Sequence, residues 1–182
     1  ISRCDWSSDV CSSDLIGRAL ISMGHRRIGI ISGPVNSFNS QKRLVGIQQA
    51  LFEASIPYNV GTTVIGDWTR ECGYHAASQL LSQGVTAIYA FSDKMISGVY
   101  TYCIEHRISV GKDISLFGFD DSDIVHAYTP PLASAKPDLQ EMGHKAAELV
   151  LAQLQGKTVC TKCHVLPCTI HVRPSVCSIG EA

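Results

Sequence analysis

A mostly parallel α/β sheet flanked by helices is the fold class this sequence predicts, and three observations predict it. Short runs that are almost wholly apolar alternate with longer segments of helical apolar spacing. The apolar runs have no polar alternation, as expected when helices cover both faces of a sheet. Glycines at 24, 84 and 156 close three of the helical segments, as left-handed C-terminal caps do. Strands alternating with helices of this length read as βαβ units.

Taken in order, residues 16–23 read as the last turns of a helix stopped by Gly24. Residues 27–32 (RIGIIS) form a short apolar strand. Residues 40–54 place Leu44, Ile47, Leu51 and Ala54 on one stripe, the mark of an amphipathic helix. The β-branched run 62–66 predicts a strand, 71–83 a helix, and 87–91 a strand. Residues 94–107 read as a helix despite Gly98, and 115–119 as another strand. Asp138 and Glu141 make a capping-box-like start for a helix over 139–155. Residues 165–172 read as a last strand, placed at an edge by Pro167.

The chain of 182 residues suffices for one sizeable core. Residues 4–15 (CDWSSDVCSSDL) carry no apolar period and match the translation of a short-read sequencing adapter. Residues 1–15 are therefore expected to be non-native and disordered, with native sequence from near Ile16. Without them the charge moves from 15 − 16 = −1 to 14 − 13 = +1, because Arg3, Asp5, Asp9 and Asp14 drop out. A near-neutral chain offers no basic footprint for nucleic acid. No apolar run approaches membrane-spanning length, so the expectation is a cytoplasmic protein with no membrane association. Six cysteines remain after residue 15, mostly single within apolar or helical patterns, and read as reduced thiols.

In sheets of this kind ligands sit beyond the carboxyl ends of the strands. The residues there are Gly33-Pro34 with Arg43 in the next helix, Asp67-Trp68, Ser92-Asp93 and Asp120-Asp121. They suit a neutral polyol: Arg43 can fork onto adjacent hydroxyls, Asp120 can accept from two, and Trp68 can lie on a sugar's C–H face. Asp67 and Asp93 are more often helix N-caps than ligands in such positions. No Ser-His or Cys-His pair and no phosphate loop is evident, so no catalytic residue is expected.

The motifs SMGHRRIGIISGP (22–34), RLVGIQQAL (43–51), GDWTRECGY (66–74), FSDKMISGVY (91–100), DISLFGFDDSDIVHAYTPPLASAKPD (113–138) and MGHKAAELVL (142–151) resemble the lactose/galactose-repressor family of bacterial transcription regulators. The resemblance implies a periplasmic-binding-protein-like effector domain of two subdomains. Residues 16–135 would be the second subdomain, 138–156 a helix of the first, and 163–177 a strand returning to the second. It implies effector contacts at Arg43, Trp68, Ser92 and Asp120, with Ser92 and Pro137 departing from the common asparagine and glutamine. It implies a homodimer surface on the helix over 94–107, at Met95, Ile96 and Val99, together with Tyr128. Operator DNA would be bound only through a missing helix-turn-helix head, and no cofactor is implied. The rival reading is an extracytoplasmic sugar-binding protein of a transport system.

Cys160-Thr161-Lys162-Cys163-His164 fits a haem-attachment or zinc pattern but falls in a turn that varies within the family, so no metal is expected. His25 and His144 read as helix-end or surface residues.

Overall fold

The computed structural model describes residues 9–157 and 166–180. The elements run α1 (Asp9–Ser22), β1 (Ile28–Ser32), α2 (Phe38–Glu53), a 3-10 turn (Val60–Thr62), β2 (Thr63–Ile65), α3 (Arg70–Ser82), β3 (Ala87–Ala90), α4 (Asp93–Glu105), β4 (Ser115–Phe119), α5 (Asp123–His126), β5 (Ala133–Pro137), α6 (Leu139–Leu154) and β6 (Cys168–His171). The six strands form one sheet in the order β2-β1-β3-β4-β5-β6. Every neighbouring pair is parallel except β5 and β6.

Helix α1 packs on α2, and α3 on α4. Right-handed crossovers place these two pairs on opposite faces of the sheet. That burial explains the strand composition: β1, β3 and β4 are buried at every position. The tolerance of Gly98 inside α4 has a direct cause. A Cβ there would lie 1.9 Å from the Arg70 carbonyl oxygen, and one on Gly73 would lie 1.9 Å from the Met95 carbonyl oxygen. The two helices cross backbone against backbone, which only glycine permits.

Three expectations need correction. The disorder expected of residues 1–15 does not hold for 9–15, which begin α1. Small Ser side chains fit where a helix lies close on a sheet: Ser12 and Ser13 are buried, and Ser13 Oγ sits 2.8 Å from the Tyr89 hydroxyl. Residues 1–8 lie outside the described residues.

His25 stands at a helix end as expected, its amide closing α1 by donating to the Leu20 carbonyl at 3.1 Å, but its ring is not at the surface. It is wholly buried, with Nδ1 3.0 Å from Thr86 Oγ1 and Nε2 3.0 Å from the Cys177 carbonyl. It ties the α1–β1 turn to the C-terminal segment, and burial lowers its pKa below the ordinary value.

Met95, Ile96 and Val99 do not form a surface. All three are wholly buried in the core, on the face of α4 that packs on the sheet and α3. Tyr128 is half-buried, its ring 4.3 Å from that of Tyr100.

The run Ala133–Pro137 is a strand that the sequence does not announce. The last strand is an edge as expected, and it is antiparallel. Helix α6 follows its capping signal, with Asp138 accepting from the Glu141 amide at 2.9 Å. None of its residues is buried, and Leu139, Val150, Leu151 and Leu154 are all exposed.

Candidate functional site

Strand β2 leaves β1 on one side and β3 continues on the other, so the sheet reverses direction at β1. Ligand crevices open beyond the carboxyl ends of strands at such a reversal. A recess of about 400 Å³ lies there, lined by Asn39, Arg43, Trp68, Ser92, Asp93, Lys94, Asp120 and Ser122. All four expected contact residues are among them, Trp68, Ser92 and Asp120 from just past β2, β3 and β4 and Arg43 from α2.

Arg43 is carried one helical turn inside α2 and is buried. Its guanidinium carbon lies 3.4 Å from the centroid of the Phe119 ring. Nη1 donates to the Phe91 carbonyl and Nη2 faces Asp120 Oδ1 at 3.9 Å. The ring and the carbonyl hold the cation in one place, which removes much of the entropic cost of using it on a ligand.

Trp68 has φ 70, a left-handed conformation that an aromatic residue rarely adopts. Its indole lies over Gly33: a Cβ there would come within 2.1 Å of Trp68 Cζ2. Gly33 is thus the floor that lets the indole stand beside the recess. Asp67 acts locally, accepting from the Thr69 amide at 2.9 Å and the Thr69 hydroxyl at 2.6 Å. Those two donors hold its carboxyl below the ordinary carboxylate range. Thr69, not Asp67, caps α3, with its hydroxyl accepting from the Cys72 amide at 3.1 Å.

Ser92 caps α4, its hydroxyl accepting from the Met95 amide at 3.3 Å. Asp93 is buried and neither a cap nor an exposed ligand group. It accepts from Ser134 Oγ at 2.7 Å, the Ser122 amide at 2.7 Å and Ser122 Oγ at 2.9 Å. Burial pushes its carboxyl up, against the pull of those donors. Asp93 therefore ties the turn after β4, at Ser122, to Ser134 of β5 at the wall of the recess. Asp120 stands in left-handed backbone at φ 109, its side chain 46% exposed with Oδ1 facing the Arg43 guanidinium. Strained backbone of this kind clusters at ligand sites.

Sequence reasoning missed Asn39, Lys94 and Ser122 in the lining. Two signals could have found them. Asn39 stands four residues before Arg43 and so shares its helix face. Lys94 and Ser122 stand two residues beyond residues already singled out at strand ends. The Cys160–His164 pattern lies outside the described residues. Among the described residues no group of three or more metal-ligating side chains converges, and no helix is long and apolar enough to cross a membrane.

Residues 18–176 match the family model of periplasmic binding protein-like domains. The chain is 34% identical over 158 residues to the HTH-type transcriptional repressor CytR of Escherichia coli K12, covering 86% of this chain and 46% of that repressor. It is 32% identical over 167 residues to the ribose operon repressor of Haemophilus influenzae, covering 91% of this chain and 50% of that one. The chain thus spans about half the length of the repressors it matches. Among solved structures, it superposes on the regulator CelR in complex with cellobiose with a TM-score of 0.87 at 30% identity, covering 92% of this chain and 52% of that one. A dimeric Lac repressor gives a TM-score of 0.86 at 28% identity, covering 94% and 62%.

Proposed function

Because the chain belongs to the family of periplasmic binding protein-like domains, we propose that it is the ligand-sensing part of a transcriptional regulator, its effector a small sugar or related polyol. The observation that carries this reading is the convergence of Arg43, Trp68, Ser92 and Asp120 on one recess. A fixed cation, a flat aromatic face and an accepting carboxylate are what a polyhydroxylated ring requires. The same residues hold no nucleophile paired with a base, which favours binding over catalysis.

The effector acts by differential affinity. It binds one arrangement of this wall and its opposing wall better than another, and shifts the population accordingly. Operator DNA is assigned to a head outside these residues, in keeping with the near-neutral charge, and the regulator works in the cytoplasm, where that DNA is. The matches to repressors, rather than to transport proteins, support this over an extracytoplasmic binding protein.

The regulator acts as a homodimer, a reading supported by the solved Lac repressor dimer. With Met95, Ile96 and Val99 buried, the pairing surface shifts to the outer side of α4. There Ile104 is 54% exposed, and Tyr100 packs tilted against Tyr128 and donates to the Thr129 carbonyl at 2.7 Å.

The test is calorimetric titration of the intact gene product with ribose, cellobiose and other neutral sugars, beside Arg43→Ala and Asp120→Ala. Saturable binding lost in both variants supports the reading; binding unchanged in both refutes it. The gene sequence upstream of residue 16 separates the rivals: a helix-turn-helix head supports the regulator and a signal peptide the transporter.

A further inference from the structure

Asp120 and Asp121 are consecutive non-glycine residues in left-handed backbone, φ 109 and φ 50. Two such residues in a row persist only where surrounding contacts over-determine them. All three amides of this turn are engaged. Asp120 N–H donates to the Ala135 carbonyl at 2.8 Å, Asp121 N–H to Ser134 Oγ at 3.1 Å, and Ser122 N–H to Asp93 Oδ2 at 2.7 Å. The Asp121 side chain is only 5% exposed and does not line the recess. Its carboxylate meets Arg173 Nη2 at 2.6 Å, while Arg173 Nη1 donates to the Leu132 carbonyl at 2.6 Å. His126 Nε2, 3.5 Å away, and His171 Nε2, 3.8 Å away, flank the same carboxylate.

We propose that Arg173 is a positioning residue for the effector site: by neutralising Asp121 it holds the turn that aims Asp120 into the recess. A buried carboxylate without its cation is strongly disfavoured and turns outward to water. Asp121 cannot turn outward without carrying the backbone of Asp120 with it. The recess therefore depends on a residue just past β6, 53 positions along the chain from Asp120. The ligand role of Asp120 rests on the reading given under Proposed function; the clamp itself does not.

The test is amide hydrogen exchange on the complete 182-residue chain, without ligand, in Arg173→Gln, Arg173→Lys, Asp121→Asn and the Gln/Asn double variant. A hydrogen bond to a charged group is worth about tenfold or more in a local opening equilibrium. In Arg173→Gln the Asp120, Asp121 and Ser122 amides should exchange about tenfold faster, while the Phe91 amide just past β3, which donates to the Ile31 carbonyl of β1, changes by less than about twofold. Arg173→Lys should recover part of the loss, and the double variant should be no faster than Arg173→Gln. If Arg173→Gln does not fold, Asp121→Asn and Arg173→Lys carry the comparison. Unchanged turn amides, equal acceleration of turn and sheet, or additive effects in the double variant would overturn the proposal. No ligand enters this experiment, so its failure leaves the sugar-site reading intact, and a failed sugar titration leaves the clamp intact.

Discussion

Replacing Gly33 with alanine adds one methyl group directly beneath the Trp68 indole. Gly33 does not occupy left-handed backbone, so alanine meets no conformational penalty there and the effect is steric. The new Cβ would lie 2.1 Å from Trp68 Cζ2, 2.3 Å from Cη2 and 2.4 Å from Ser40 Oγ. Carbon pairs rest at about 3.5–4.0 Å, so the indole must retreat by roughly 1.4 Å or more. Ser40 Oγ is buried with no hydrogen-bond partner and can rotate aside without losing one; the indole is therefore the group that moves. Overpacking of this size costs about 1–3 kcal/mol. For a chain of this length that lowers Tm by about 2–4 °C per kcal/mol.

The assay is thermal unfolding together with Trp68 emission, in a Trp6→Phe background because the chain has two tryptophans. Gly33→Ala should lower Tm and move the Trp68 emission maximum. Gly33→Ala combined with Trp68→Ala should cost less than the sum of the two changes, since removing the indole relieves the clash. A Gly33→Ala variant with unchanged Tm and emission would refute the reasoning.

His25 has its folded pKa lowered below 6.5 by burial, so the unfolded chain binds the proton first as pH falls. Stability should be flat above pH 6.5, decline below it and level off at the folded pKa; His25→Gln should remove that slope in a urea-melt pH series. Cys103 is wholly buried and its thiol is pushed up to about 12 by desolvation. It should resist a thiol reagent at pH 8 until the chain unfolds, while the part-exposed Cys72 and Cys177 react. The exposed Leu139, Val150, Leu151 and Leu154 of α6 should bind an apolar-surface dye in this chain, and Leu151→Glu with Leu154→Glu should reduce the signal about severalfold. No dye binding by the unaltered chain would show that another surface covers this face.

The sheet was legible where burial is two-sided. The runs ending at Ser32, Ala90 and Phe119 are apolar because helices cover both faces, and length separates them from helices. β5 was not legible, because Ala, Ser, Lys and Pro have little β preference and its pairing comes from β4 and β6. Helix α1 began earlier than expected, since Ser12 and Ser13 are small enough to pack without an apolar period. Arg43, Trp68, Ser92 and Asp120 could be read as one site because strand ends in a parallel sheet gather at one edge. The split of labour between them could not. That Ser92 caps while Asp93 braces β4 and β5 depends on Ser122 and Ser134, which no sequence spacing connects to them. Periodicity places α4, but the resemblance that implies a pairing surface at Met95, Ile96 and Val99 does not fix the face these side chains take, and packing in the core turns them in.

The central claim is that these strand ends form one sugar-binding wall. Amide and indole chemical-shift changes on titrating the isotopically labelled chain with ribose and with cellobiose test it most directly. Binding at this wall should give shifts confined to Arg43, Trp68, Ser92, Asp120 and their immediate neighbours, abolished by Asp120→Ala. Shifts that map to another face, or that survive Asp120→Ala and Arg43→Ala together, would contradict it.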